Sequence, residues 1–129
     1  MRFGYVIIYV PDVPATVEFY ERAFGLVRRF LHASGQYAEM ETGATALAFA
    51  EEALVLETCR GFRANRPAEL PAGAEIAFVA DDVKASYEQA LAAGAVGFVA
   101  PHEKPWGQTV AYVRDLHGFL VELCSAIGH

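Results

Sequence analysis

Apolar positions along this chain follow a pattern that occurs twice. From residue 5 the run Tyr5-Val6-Ile7-Ile8-Tyr9-Val10 leads to Asp12, and apolar residues then recur at helical spacing, Val13, Val17, Tyr20 and Phe24, before Gly25. From residue 75 the run Glu75-Ile76-Ala77-Phe78-Val79-Ala80 leads to Asp82, then to Val83, Tyr87, Ala90 and Leu91, before Gly94. Each reads as a strand followed by an amphipathic helix. At an offset of 70, Asp12 falls on Asp82, Val13 on Val83, Ala15 on Ala85 and Glu18 on Glu88.

The punctuation fits the pattern. Asp12 and Asp82 are placed to accept hydrogen bonds from the unpaired first amides of their helices. Pro14 lies in the first turn, where its missing N–H has no helical partner. Gly25 and Gly94 suit left-handed helix stops. Strand-like runs follow each helix, at 26–32, 36–41 and 45–50 in the first half and at 96–100, 108–114 and 119–125 in the second. The stretch 51–74 has room for a short helix at 51–58 and ends among Pro67, Pro71 and Gly73. The expected order is βαβββ twice, an α+β fold in a single domain, 1–129. Module one is 1–50, the connector 51–74 and module two 75–129.

Side chains alternate between the faces of a strand. Val6, Ile8 and Val10 form one aliphatic set, opposed by Tyr5, Ile7 and Tyr9. Ile76, Phe78 and Ala80 oppose Glu75, Ala77 and Val79, while Phe119, Val121 and Leu123 oppose Leu120, Glu122 and Cys124. The uniformly apolar sets are expected under the helices. The other sets place an occasional polar group on an apolar surface, the make-up of a ligand cavity. Glu75 and Glu122 share that second face. Either acid alone reads equally well as a solvated rim residue; their matching parity points to a shared site.

Composition narrows the function classes. The chain has 129 residues, 54% of them hydrophobic, enough for a real core. A formal net charge of −6 argues against a nucleic-acid surface. Arg28 with Arg29, and Arg60, Arg63 and Arg66, read as solvated faces. No apolar run approaches the roughly 20 residues that span a bilayer, so no membrane partner is expected. The first residues show no signal-cleavage pattern, and a cytoplasmic protein is expected. Cys59 and Cys124 form no CxxC motif; a disulfide is not expected there, and Cys124 reads as a small buried hydrophobe.

Three segments, "YVIIYVPDVPATVEFYERAFGL", "EIAFVADDVKASYEQALAAGA" and "PWGQTVAYVRDLHGFLVEL", together resemble the vicinal oxygen chelate superfamily: the glyoxalase, bleomycin-resistance and extradiol-dioxygenase group. The last segment matches that family's strand, Asp-Pro-x-Gly turn and strand, with Leu116 in place of the proline. The resemblance implies two βαβββ modules forming an open U-shaped, mixed-sheet half-barrel with helices on its convex face. It also implies a homodimer. In metal-dependent members four ligands, two per module, stand on the concave face. Their positions fall here on Tyr5, on a residue near Leu47 to Phe49, on Glu75 and on Glu122. Only the second module offers carboxylates, and Glu57, in "VLETC", falls in the connector.

That pattern favours the metal-independent branch, nearest to the bleomycin-resistance proteins: binding of an aromatic, cationic small molecule, an antibiotic or metabolite, with no cofactor. "KPWGQ" (104–108) resembles the Pro-Trp-Gly segment of those proteins, and Trp106 is either a stacking platform or a plug at the barrel end. The expected ligand contacts are Tyr5, Ile7, Phe49, Glu75, Trp106, Tyr112 and Glu122. The alternative is a metal-dependent glyoxalase-like lyase or isomerase, or a ring-cleaving dioxygenase, with Glu75 and Glu122 holding a divalent ion. A metal-independent enzyme would use one of these acids as its base. His117 sits in a tight-turn position; His32, His102 and the terminal His129 form no catalytic constellation.

Overall fold

The structure, a computed structural model, describes residues 1–127; His129 lies outside the described residues. In chain order the elements are β1 (Tyr5–Val10), α1 (Val13–Phe24), β2 (Arg28–Leu31), β3 (Tyr37–Met40), β4 (Ala46–Glu51), α2 (Glu52–Val55), β5 (Glu75–Val79), α3 (Val83–Ala92), β6 (Val96–Glu103), β7 (Thr109–Arg114) and β8 (Leu120–Cys124). The fold is α+β, and the βαβββ order occurs twice. The chain divides into two compact units, Met1–Ala64 and Asn65–His129. The connecting stretch is thereby shared, with α2 and Phe62 in the first unit and Arg66 and Pro67 in the second.

In the first unit the strand order is β1-β4-β3-β2. β1 runs parallel to β4, with Ile7 opposite Ala48 and Ile8 opposite Phe49, and the other pairs are antiparallel. One face carries α1. Asp12 Oδ1 accepts from the Ala15 N–H at 3.0 Å, and Gly25 ends the helix at φ 67. Val13, Thr16, Val17, Phe19, Tyr20 and Ala23 of α1 are buried with Ile8, Val10 and Phe49. The Thr16 hydroxyl donates to the Asp12 carbonyl at 2.6 Å, so a polar residue enters this core without an unsatisfied group.

The second unit repeats the plan, with strand order β5-β8-β7-β6 and β5 parallel to β8. Asp82 Oδ1 accepts from the Ala85 N–H at 3.0 Å, matching the first cap. Only Val83 and Ala90 of α3 are fully buried, and Leu91 of the expected stripe is exposed. Tyr87 lies so close over Gly97 that a side chain there would overlap its hydroxyl.

β6 is longer than the expected 96–100 and continues through Pro101 to Glu103. This is tolerated because β6 is an edge strand, where an absent N–H breaks no ladder. Its register slips between Gly97 and Val99 and again between Val99 and His102. Such bulges and a proline blunt an edge against pairing with another strand. No described helix is long and apolar enough to cross a membrane.

Candidate functional site

In the second unit, the face away from α3 gathers the acids. Glu75 pairs with Leu120 and Glu122 with Ala77 across β5 and β8, which sets the two glutamates diagonally on one face. Tyr112 of β7 stands directly opposite Glu122. Its hydroxyl donates to Glu122 Oε1 at 2.9 Å. Ala77, Val79 and Leu120 share the face and make it largely apolar; Arg114, opposite Leu120, is also on it, with its guanidinium donating to the Gly118, Pro67 and Arg66 carbonyls.

The electrostatics follow from this geometry. Desolvation, then the charge of Glu122, then a hydrogen bond with that carboxylate raise the pKa of Glu75 above its ordinary value. Glu75 remains solvent-exposed, and water screens part of the repulsion. Tyr112 is pushed up to about 12, first by its hydrogen bond to Glu122, then by burial and by the charges of Glu122 and Glu75. The Cys124 thiol is also raised, chiefly by burial and then by a hydrogen bond with Glu122 and the two acids' charges. A buried thiol of raised pKa is a poor nucleophile. Neither glutamate forms an ion pair among the described residues.

The first unit's face away from α1 is different. Tyr5, Ile7 and Tyr9 of β1 lie beside Ala46, Ala48 and Ala50 of β4. By register, Tyr5 holds the place of Glu75 and Ala48 that of Glu122. The acid here is Glu39 on β3, opposite Ala48 and only 8% exposed. The Tyr37 hydroxyl donates to its Oε2 at 2.8 Å, and Arg29 Nη1 lies 3.4 Å from Oε1. Arg29 also binds both oxygens of Glu41 and the Gly43 carbonyl. Burial and the hydrogen bond to Glu39 hold Tyr37 at about 12. Sequence reading did not single out Glu39; the one signal was its parity with Tyr37 in "QYAEME".

The expected contacts are thus placed unequally. Glu75, Tyr112 and Glu122 come together. Tyr5 and Ile7 lie on the first unit's open face, 55% and 45% exposed. Phe49 is a correction: it pairs with Ile8 on the helix side, is 0% exposed and packs on Tyr20 with ring centroids 4.8 Å apart. It is a core residue, because the register of β4 against β1 turns it under α1. Trp106 occupies the β6–β7 turn, 59% exposed, with its indole N–H donating to Gln108 Oε1 at 2.9 Å and Lys104 over its ring.

Glu57 follows α2 in the connecting stretch, exposed, its N–H bonded to the Leu54 carbonyl. His117 lies in the β7–β8 turn, its N–H donating to Asp115 Oδ1 at 2.9 Å. The arginine groupings separate: Arg28 pairs with Glu21 at 3.2 Å, and Arg29 belongs to the Glu39 and Glu41 cluster.

The glyoxalase-like domain model matches residues 3–128, nearly the whole chain. The chain belongs to the glyoxalase-like domain family. Solved structures share the fold. A glyoxalase-related enzyme from Fulvimarina pelagi has a TM-score of 0.83 at 19% identity, over 98% of this chain and 88% of that one. A glyoxalase/bleomycin resistance protein/dioxygenase from Nocardioides gives 0.72 at 23% identity, over 98% and 84%. TioX from Micromonospora sp. ML1 gives 0.72 at 20% identity, over 97% and 98%. No curated protein matches.

Glyoxalase-like proteins often hold a metal, and the residues here fit one poorly. The first unit offers Tyr5 and Ala48 at the positions of Glu75 and Glu122, and an alanine has no donor atom. One oxygen of Glu122 already accepts from Tyr112. Among the described residues no group of three or more His, Cys, Asp or Glu could hold a metal ion. Two carboxylates fall short of the three or four protein ligands of a tight transition-metal site.

Proposed function

We propose that this glyoxalase-like protein binds an aromatic, cationic small molecule without a metal, in the manner ascribed above to the bleomycin-resistance branch. The observation that carries the reading is the Glu75–Glu122–Tyr112 cluster, two acids on a largely apolar face with no ion pair among the described residues, since Arg114 on the same face gives its guanidinium to the Gly118, Pro67 and Arg66 carbonyls. A cation relieves the repulsion between the acids, and its hydrogen bonds satisfy their remaining lone pairs. Ala77, Val79 and Leu120 supply apolar contact for a planar body, and Tyr5 and Ile7 supply it on the first unit's own open face. Trp106 is assigned a stacking role at the rim. The protein acts as a cytoplasmic homodimer in this reading, with no nucleic-acid or membrane partner.

The test is a binding screen of planar aromatic cations by Trp106 fluorescence, on wild type and on the Glu75→Gln/Glu122→Gln double variant. Saturable binding without turnover, weakened at least about tenfold in the double variant, supports the proposal; a loss of that size is about 1.4 kcal/mol. Equal affinity in both proteins sinks it. A second reading has one observation in its favour, the presence of acids at both second-module ligand positions. If elemental analysis after incubation with Mn²⁺, Ni²⁺, Zn²⁺ or Fe²⁺ finds a stoichiometric, chelator-sensitive ion, a metal-dependent lyase, isomerase or dioxygenase replaces the first reading.

A further inference from the structure

Tyr5, Ile7 and Tyr9 form one row along β1 on the first unit's open face, since alternate residues of a strand share a side. The row is not uniformly available. Tyr5 and Ile7 are exposed, but Tyr9 is half-buried. The Phe62 ring meets it nearly edge-on, with centroids 4.9 Å apart and planes at 61°.

Phe62 arrives from the stretch beyond α2, directly after Gly61, whose φ of 149 suits a residue without a Cβ. Residues 60–65 form neither helix nor strand. Among the described residues none of their N–H groups donates to a backbone carbonyl; the Cys59 thiol contacts the Gly61 carbonyl at 3.5 Å, and the Arg66 guanidinium donates to the Asn65 carbonyl at 2.8 Å. The Phe62 ring on Tyr9 is an aromatic contact of this segment with β1.

We propose that Phe62 is a specificity-determining residue of this face: it ends the apolar row at Ile7 and limits the aromatic body accepted there to two fused rings. The inference rests on the small-molecule reading above. A strand rises about 3.3 Å per residue, so Tyr5 and Ile7 lie about 7 Å apart along β1, a span that two fused six-membered rings fill. A third ring would need Tyr9. Phe62 already gives Tyr9 the edge-on contact that aromatic pairs favour, so a longer ligand must displace it.

The test uses three planar cations that differ in ring number, N-methylpyridinium, N-methylquinolinium and N-methylacridinium, titrated into the full chain and into Phe62→Ala. Wild type is expected to bind the two-ring cation about tenfold more tightly than the three-ring cation, the order of one aromatic contact. Phe62→Ala removes that gap by tightening the three-ring cation about tenfold, and the Tyr9 ring resonances then shift with that cation in the variant alone. Phe62→Leu, which keeps apolar bulk on Tyr9 if the alanine variant fails to fold, moves in the same direction by less. Wild type binding three rings as tightly as two, or a variant that weakens all three cations alike, overturns the inference while leaving the small-molecule reading intact. Binding of none of the three by either protein sinks the small-molecule reading of this face, and the inference with it.

Discussion

Tyr112 faces Glu122 across the antiparallel β7–β8 pair, and its hydroxyl donates to Oε1 at 2.9 Å. That hydrogen bond, then burial and the charges of Glu122 and Glu75, hold Tyr112 at about 12 against an ordinary 10.0. Replacing the acid with a side chain that cannot accept, Glu122→Leu, removes the leading cause along with the Glu122 charge. The Tyr112 ring carbon followed by NMR through alkaline pH is expected to titrate closer to 10.0 in the variant. An unchanged midpoint would mean the hydrogen bond is not formed in solution.

Glu75 makes stability depend on pH with a definite sign. Its folded-state pKa lies above the ordinary 4.5, so between those two values the folded chain holds the proton more tightly than the unfolded chain. The stabilisation is fully present below the ordinary value and is lost as pH rises through the raised one. Thermal melts of wild type and Glu75→Gln, taken from acid to neutral pH, are expected to show this decline in wild type only. A wild-type melting temperature that rises relative to the variant over the same window would contradict the placement of the two acids.

Phe49 and Ile7 sit on neighbouring strands but on opposite faces. Phe49→Ala is expected to cost about 3–5 kcal/mol, the range for emptying a filled aromatic core site. Ile7→Ala, on the open face, is expected to cost about 1 kcal/mol or less. Denaturant unfolding of both variants measures the contrast, and similar losses would refute the register of β4 against β1.

Gly118 closes the β7–β8 turn at φ 89. A Cβ there would lie 2.8 Å from the Arg66 carbonyl oxygen, the same group that the Arg114 guanidinium binds at 3.3 Å. Gly118→Ala combines a left-handed backbone with a backbone clash, and a loss of about 1–3 kcal/mol is expected. Chemical denaturation checks it; a neutral substitution would show that the turn relaxes freely.

How legible each feature was in the sequence depended on how local its cause is. The helices were legible because Asp12 and Asp82 act on amides three residues away and the apolar stripes have a helical period. The shared face of Glu75 and Glu122 was legible because alternation fixes parity within a strand. Phe49 was misread because every residue of "TALAFA" except Thr45 is apolar; alternation then gives no parity, and only the pairing of Ile8 with Phe49 decides the side. Glu39 was missed because its cation, Arg29, arrives from the register shift between Arg28 and Phe30 in β2, an irregularity with no mark in the sequence. Tyr112 was expected only as a ligand contact; its hydroxyl's bond to Glu122 depends on the β7–β8 register, which no local pattern marks.

The parallel pairing of each unit's first strand with its last also governs the order of assembly. Tyr5 has no partner until Ala46 has been synthesised, and Glu75 none until Leu120 has. The intervening hairpins join near neighbours and can form early, whereas these long loops close only once their entropy cost is met. On the ribosome the first unit can therefore close while the second is still emerging. The two acids of the second unit meet only when nearly the whole chain has been made.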